Sequence, residues 1–151
     1  MLKLVEEQEF EEIVNEHLNE EELNRFNRIF TKRANHKDFK FLTMYSEDGK
    51  NTLQGLASAE IYETKKGNVV NVTSLFVVPE FRESTNYDEI LILHLIRLAR
   101  EAFTGEEFYS YIGLAKENDL KAYVNNGFDH DEPNKSGNIS VYKLADKEIL
   151  A

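Results

Sequence analysis

VVPEFRESTNYDEILILHLI, residues 77–96, contains the end of an apolar strand, a polar turn and the start of an apolar helix. The first N–H groups of a helix have no partners inside it, and the helix dipole makes that end positive, so such a turn is suited to binding phosphate. Glycines usually let the backbone of a phosphate turn approach the anion closely. Residues 79–88 contain no glycine, although Arg82 supplies a positive charge. The stretch therefore predicts a strand, a turn and a helix, and the turn is the candidate site.

The helix after this turn has a wide apolar face. It is predicted over residues 87–103, and its apolar residues recur at helical spacing: Leu91, Ile92, Leu95, Ile96, Leu98, Ala99 and Phe103. Such a face must be buried against a sheet. Because the helix separates the strand predicted at 69–78 from the strand predicted at 108–114, these two strands should run parallel.

The rest of the chain alternates between helical and strand periodicity. Asn19, followed three residues later by Glu22, predicts a capping box at the start of a helix. The other predicted elements are a strand at 2–4, a helix with Phe10, Ile13, Val14 and Leu18 inside, the capped helix with Leu23, Phe26 and Phe30 inside, strands at 39–45 and 52–63, a helix at 117–126 and a strand at 139–144. The strands from 39 to 78 form an antiparallel meander. The predicted class is α+β, with one parallel crossing in a mixed sheet.

Three stretches resemble the GNAT superfamily of N-acetyltransferases. LQGLASAEIYE (53–63) is similar to its third strand, SLFVVPEFR (74–82) to the end of its fourth strand, and AYVNNGF (122–128) to its Tyr-x-x-x-Gly-Phe ending. The resemblance extends over nearly the whole chain and implies a single GNAT-like domain at 1–151. It implies a mixed, mostly antiparallel sheet of six or seven strands flanked by about four helices.

The resemblance also implies a reaction and a set of site residues. Proteins of this superfamily transfer an acetyl group from acetyl-CoA to a primary amine by direct attack in a ternary complex. Tyr123 matches the tyrosine that protonates the leaving thiolate. The positions matching the cofactor site are Leu75, Phe76, Val77 and Val78 for the pantetheine arm, Arg82, Glu83, Ser84, Thr85, Asn86 and Tyr87 for the pyrophosphate, and Lys116 and Asn118 on the pantetheine side.

The turn itself departs from the superfamily pattern, which is Arg/Gln-x-x-Gly-x-Gly/Ala. Thr85 and Tyr87 occupy the glycine positions, and Glu83 and Asp88 add negative charge where phosphate would bind. Each carboxylate beside a pyrophosphate costs from about 1 kcal/mol in water to about 4 kcal/mol near a protein surface. The departure therefore predicts weakened binding of CoA.

The same residues also match a structural role. Asn86 with Glu89, or Thr85 with Asp88, has the spacing of a capping box, which would close the helix end without a ligand. The second hypothesis is thus a catalytically inactive GNAT-fold binding or assembly module, with weak or no CoA binding. The sequence leaves both hypotheses open.

Composition limits the partners. The 151 residues have a net charge of -10 and contain no cysteine, which excludes a cysteine nucleophile and thiolate metal sites. Clustered Lys and Arg are missing, so a nucleic-acid partner is not expected, and a small cationic amine or a basic peptide is the favoured acceptor. The chain shows neither a signal peptide nor a membrane-length apolar run, which predicts a cytoplasmic protein. A homodimer is left open.

Other polar residues have two interpretations. Glu60, Glu63, Asn71 and Thr73 lie on the third and fourth strands, where they either face solvent or line an acceptor groove and supply a general base. The string DHDE at 129–132 places one histidine between carboxylates. It matches a solvated loop, and the sequence predicts no metal site.

Overall fold

A computed structural model describes residues 1–26, 31–102 and 108–145. Its elements are β1 (Leu2–Val5), α1 (Glu7–His17), α2 (Glu20–Arg25), β2 (His36–Tyr45), β3 (Leu53–Thr64), β4 (Gly67–Val77), α3 (Pro79–Arg82), α4 (Tyr87–Glu101), β5 (Phe108–Ala115), α5 (Glu117–Asn125), β6 (Asp129–His130) and β7 (Ile139–Leu144). The described strands form one sheet in the order β1-β2-β3-β4-β5-β7-β6. Only the β4–β5 pair is parallel among these neighbours. The predicted α+β class and mixed sheet are confirmed.

Two hydrophobic clusters cover the two faces of the sheet. Helix α4 buries Leu91, Ile92, Leu95, Ile96 and Ala99 against one face, as its periodicity predicts. Phe103, which was predicted on the same stripe, lies outside the described residues. Helix α1 buries Phe10, Ile13 and Val14 against the opposite face. The sheet therefore lies between helices, and α5 packs beside α4.

The capped helix begins where the sequence predicts. The Glu22 N–H donates to Asn19 Oδ1 at 2.8 Å, and the Asn19 N–H donates to Glu22 Oε1 at 2.9 Å. After this short helix Phe26 is buried, with its ring centroid 6.1 Å from that of Phe76 at the end of β4. Phe30 lies outside the described residues. This contact brings the end of α2 over the end of β4.

Strands β4 and β5 part near the middle of the sheet. Their paired register ends at Val72 and Gly113, whereas β4 continues to Val77. The β3–β4 register shifts between Ser58 and Ala59, which face Ser74 and Val72, so Thr73 is an extra residue on β4. Such a bulge bends the strand and increases its twist. Beyond Val72, β4 therefore no longer pairs with β5.

The glycine of LQGLASAEIYE is required by close packing. A Cβ atom at Gly55 would lie 2.8 Å from Leu91 Cδ1 and 3.1 Å from the Phe76 carbonyl oxygen. Strand β3 therefore approaches α4 and the end of β4 so closely that a side chain at this position would displace Leu91 and crowd the β4 backbone. Gly55 helps to set the position of the strand end from which the turn begins.

The start of α4 differs from the prediction. Within the described residues neither expected capping box forms, and the Asn86 side chain makes no capping hydrogen bond. Asn86 has φ -109° and ψ 34°, outside the extended conformation that a capping residue adopts. The Thr85 hydroxyl instead donates to the Phe81 carbonyl, and Asp88 Oδ1 accepts the Glu89 N–H at 2.8 Å. The turn is thus held by contacts within itself.

Candidate active site

A cleft of about 730 Å³ opens where β4 and β5 part. The end of β4 and the α3–α4 turn form one wall, and the start of α5 forms the other. Arg25, at the end of α2, closes one side. The lining residues are Arg25, Leu75, Phe76, Val77, Pro79, Glu80, Arg82, Glu83, Ser84, Thr85, Asp88, Lys116, Asn118 and Asp119.

Most of the predicted cofactor residues line this cleft, and three do not. Those that line it are Leu75, Phe76, Val77, Arg82, Glu83, Ser84, Thr85, Lys116 and Asn118. The Val78 N–H already donates to the Gln54 carbonyl at 2.9 Å. The Tyr87 ring packs against Phe81, with centroids 5.8 Å apart, and borders a separate cavity near Met1. Asn86 is exposed outside the cleft lining.

Sequence reasoning missed several lining residues. Asp119 lies four residues before Tyr123, so helical spacing alone could have placed both on one face of α5. Asp88 also lines the cleft, whereas the sequence indicates for it only an unfavourable charge or a capping role. Arg25 comes from a helix that precedes the strands, and no local pattern links it to the turn. Contacts distant in sequence therefore complete the cleft.

Arg82 is anchored to the strand before it. Its Nε donates to the Val77 carbonyl at 2.7 Å, and its guanidinium carbon lies 5.0 Å from the centroid of the Phe76 ring. This stacking has the geometry of a cation–π contact. The side chain therefore holds the α3 turn against β4, with its positive charge at the cleft.

The cleft contains charges of both signs. Its cations are Arg25, Arg82 and Lys116, and its acids are Glu80, Glu83, Asp88 and Asp119. Burial raises the pKa of Asp88. The pKa of Asp119 is raised to about 6, mainly by burial and to a smaller extent by the nearby Asp88 carboxylate. The positive charges of Arg82 and Lys116 lower this pKa, but they do not outweigh burial. The inner wall thus contains a carboxyl group that titrates near neutrality.

A small pocket of about 20 Å³ adjoins the cleft, and we call it the inner pocket. Its lining residues are Arg25, Val72, Thr73, Ser74, Leu75, Leu114, Lys116, Asp119 and Tyr123. This volume suffices for one water molecule. Lys116 Nζ donates to the Arg25 carbonyl at 3.1 Å, and both residues also line the cleft. The contact between α5 and α2 therefore forms part of the wall between the two spaces.

Tyr123 is buried beside the inner pocket. The residue is 2% exposed, and its ring makes an edge contact with Phe128 at a centroid distance of 5.3 Å. Gly113 leaves room for it, since a Cβ atom there would lie 3.3 Å from Tyr123 Cε1 and 3.4 Å from its hydroxyl oxygen. Burial raises the pKa of Tyr123, and the Asp119 and Asp88 carboxylates add to this effect. The phenol therefore stays protonated and can donate a proton.

The interpretation of Glu60 as a solvent-facing residue is wrong. Glu60 is 1% exposed because β3 is a central strand. Its carboxylate accepts the Arg33 N–H at 3.0 Å and Arg33 Nε at 3.1 Å, and His36 Nδ1 lies 2.9 Å from Oε2. A carboxylate held by three such contacts anchors the chain before β2 and is poorly suited to act as a base.

The other polar strand residues differ in exposure. Glu63 faces solvent, whereas Thr73 is buried. Ser58 Oγ lies 2.8 Å from Thr73 Oγ1 and also contacts the Ser74 hydroxyl. These three buried hydroxyl groups form a small network at the bulge, and two of them border the inner pocket.

The described residues include neither a metal-binding cluster nor a membrane-spanning helix. In residues 1–26, 31–102 and 108–145, no group of three or more His, Cys, Asp or Glu side chains is arranged to hold a metal ion. His130, from the DHDE string, is exposed, and its Nδ1 lies 3.0 Å from the Asp131 carbonyl oxygen. None of the helices described is both long and apolar enough to span a membrane.

Solved structures of known proteins share the fold of this chain, although no sequence comparison gives a match. Neither a protein-family model nor a curated protein sequence matches the chain. Among solved structures, Arabidopsis thaliana NAA60, solved with acetyl-CoA, has a TM-score of 0.64 and 14% identity, covering 96% of this chain and 97% of that one. An N-acetyltransferase from Staphylococcus aureus Mu50 has a TM-score of 0.57 and 16% identity, covering 97% and 96%.

A third similar structure is the GNAT domain of PAT from S. lividans. Its TM-score is 0.63 at 12% identity, and the match covers 95% of this chain and 89% of that one. At these identities the likeness establishes architecture alone. The chain has the fold of the GNAT N-acetyltransferases.

Proposed function

We propose that this chain is a GNAT-type N-acyltransferase that transfers an acetyl group from acetyl-CoA to a primary amine by direct attack in a ternary complex. The cleft carries this proposal, because it extends from the α3–α4 turn to the inner pocket beside Tyr123. Its volume of about 730 Å³ is typical of small-molecule and cofactor sites. The fold, and a structural neighbour solved with acetyl-CoA, support the same use.

Different parts of the cleft suit different parts of acetyl-CoA. Arg82 and Lys116 supply positive charge for the phosphates, and residues 83–85, in the turn before α4, line the same part of the cleft. Main-chain groups of residues 75–77 lie where β4 has left β5 and can bond the pantetheine. Acetyl-CoA supplies the activated thioester, and these residues bind and orient it.

Glu83 and Asp88 oppose phosphate binding. The raised pKa of Asp88 reduces this opposition, because the carboxyl group takes up a proton more readily when an anion approaches. Glu83 is exposed and can turn into solvent. The residues of the cleft therefore fit acetyl-CoA, with lower affinity than a glycine-rich turn would provide.

Tyr123 suits the role of general acid. Its buried phenol remains neutral at physiological pH and borders the inner pocket. When the tetrahedral intermediate collapses and the carbon–sulfur bond breaks, a neutral phenol can protonate the leaving sulfur. We assign this step to Tyr123.

The acceptor we propose is a primary amine on a small molecule or a peptide. The net charge of -10 favours a cationic acceptor, because opposite charge steers association. A homodimer and a cytoplasmic location stay predictions of the sequence.

A second candidate function is a catalytically inactive binding or assembly module. It is favoured by the acids Glu83 and Asp88 at the cleft, and by Thr85 and Tyr87 in the glycine positions. In this case the GNAT fold is retained without useful CoA affinity. Binding of acetyl-CoA separates the two functions.

The deciding experiment measures thermal unfolding with and without millimolar acetyl-CoA. A ligand at 100 times its dissociation constant adds roughly 2.7 kcal/mol to the free energy of unfolding. For an enzyme we expect a rise in Tm that saturates with concentration. An unchanged Tm, together with no heat in calorimetric titration, would reject the enzyme and favour the module.

A second experiment tests Tyr123. Tyr123→Phe should lower kcat by at least about 100-fold while leaving acetyl-CoA affinity nearly unchanged, because only the proton donor is lost. Tyr109→Phe is the matched control, since Tyr109 lies on β5 outside the cleft lining. Unchanged turnover in Tyr123→Phe would remove this residue from the reaction.

A further inference from the structure

Asp119 occupies a distinctive position on the site wall. It lies in the first turn of α5, one helical turn before Tyr123, so both side chains lie on the same face of that helix. Asp119 lines both the cleft and the inner pocket. It therefore lies between the space proposed for acetyl-CoA and the space beside the proton donor.

The inner pocket offers few other groups that could accept a proton. Of the described side chains that line it, Asp119 is the only acid. The Thr73 and Ser74 hydroxyls are hydrogen-bonded to the Ser58 hydroxyl. Glu60 lies farther along β3, where its carboxylate is bonded to Arg33 and His36. A neutral phenol such as Tyr123 donates a proton more readily than it accepts one. The geometry therefore points to the carboxylate on α5.

The charged surroundings of Asp119 support proton exchange. Arg82 on α3 and Lys116 before α5 favour its ionised form, whereas Asp88 on α4 favours its protonated form. Arg25 on α2 and Tyr123 on α5 share its pocket. Burial, the largest influence, raises its pKa to about 6, close to the value that suits a base at neutral pH.

We propose that Asp119 is the proton acceptor for the attacking amine. This proposal rests on the proposed N-acyltransferase function. The acceptor ammonium gives one proton to the Asp119 carboxylate, and its freed electron pair forms a bond to the thioester carbonyl carbon. Collapse of the intermediate breaks the carbon–sulfur bond, and the second nitrogen proton reaches the sulfur through Tyr123. The products are the amide, the thiol and one proton, which Asp119 returns to solvent.

The test compares Asp119→Asn with the wild-type chain on two amines. Cadaverine is protonated at neutral pH and must lose a proton before it attacks, whereas hydroxylamine is unprotonated there and need not. We expect Asp119→Asn to acetylate cadaverine at least about 100-fold more slowly and to keep its rate with hydroxylamine within about threefold. The acidic limb of the pH profile of kcat/KM for cadaverine should also disappear. Asp119→Glu should restore part of the cadaverine rate.

The control variant is Glu117→Gln, which removes an exposed acid from the same helical turn outside both linings. It should leave both rates unchanged. If the wild-type protein acetylates cadaverine and Asp119→Asn retains both that rate and the acidic limb, this assignment is overturned while the proposed function stands. Equal losses with both amines would also overturn it, because they indicate a structural role. Failure of the wild-type protein to bind acetyl-CoA would reject the proposed function and, with it, this assignment.

Discussion

Replacing Asp119 by Asn should make the protein more stable at neutral pH. The carboxyl group has a pKa of about 6 in the folded chain, against an ordinary value of 3.8 for an exposed aspartate. Each unit of difference corresponds to about 1.4 kcal/mol, which gives an upper limit of about 3 kcal/mol. The side chain keeps some contact with solvent in the cleft, so we expect a gain of about 1–3 kcal/mol.

The direction of the pH dependence follows from proton binding. Between about pH 4 and pH 6 the folded carboxyl group holds a proton that the unfolded one has lost, so native stability falls as the pH rises through this window. Above it the full cost of the buried charge is present, and below it the cost disappears. Asp119→Asn should therefore match the wild type at pH 4 and exceed it at pH 7.5.

Urea unfolding followed by circular dichroism at both pH values measures this difference. For a chain of 151 residues, 1 kcal/mol corresponds to a shift in Tm of about 2–4 °C, so thermal unfolding provides a second measure. Glu117→Gln is again the control, since its carboxylate is exposed. A variant that is less stable than the wild type at pH 7.5, or that shows the same difference at both pH values, would refute the assigned burial of Asp119. The gain in stability, combined with a loss of turnover, is the pattern expected of a group retained for function.

Three further predictions concern the framework and the turn. Gly55→Ala should lower the free energy of unfolding by about 1–3 kcal/mol, because its methyl group would overlap Leu91; unchanged urea unfolding would contradict this close approach. Glu60→Ala should destabilise the fold by about 1–3 kcal/mol, because the Arg33 N–H loses its buried acceptor, and a value near zero would show that water replaces the carboxylate. Glu83→Gly should tighten acetyl-CoA binding at least about fivefold at low ionic strength, as measured by calorimetry. An unchanged affinity would place the phosphates away from this side chain.

The sequence predicts the local elements well where their interactions are short in range. The capping box between Asn19 and Glu22 forms as expected, since its two partners are three residues apart. The apolar face of α4 is buried as its spacing predicts. The parallel pairing of β4 with β5 also follows from the helix that separates them in the chain.

Local reasoning fails where a distant partner determines the environment. The solvent-facing interpretation of Glu60 is wrong because β2 and β4 flank its strand and Arg33 contacts its carboxylate. Spacing within one segment contains no information about this contact. The capping box predicted at Asn86 also does not form, but there the competing contact is local, since the Thr85 hydroxyl donates to the Phe81 carbonyl four residues earlier.

The candidate site shows the same division. The position of Arg82 and its neighbours in the site can be predicted from one continuous stretch of sequence, because the strand, the turn and the helix follow each other directly along the chain. Arg25 contacts Lys116, which lies 91 positions later in the chain, and Asp119 lies near Asp88 only because α5 packs next to α4. Periodicity and turn chemistry thus decide which elements form and where the turn lies. Tertiary packing determines which charges face one another across the cleft and how far burial shifts their proton affinity. It does so because it brings together side chains that are far apart in the chain.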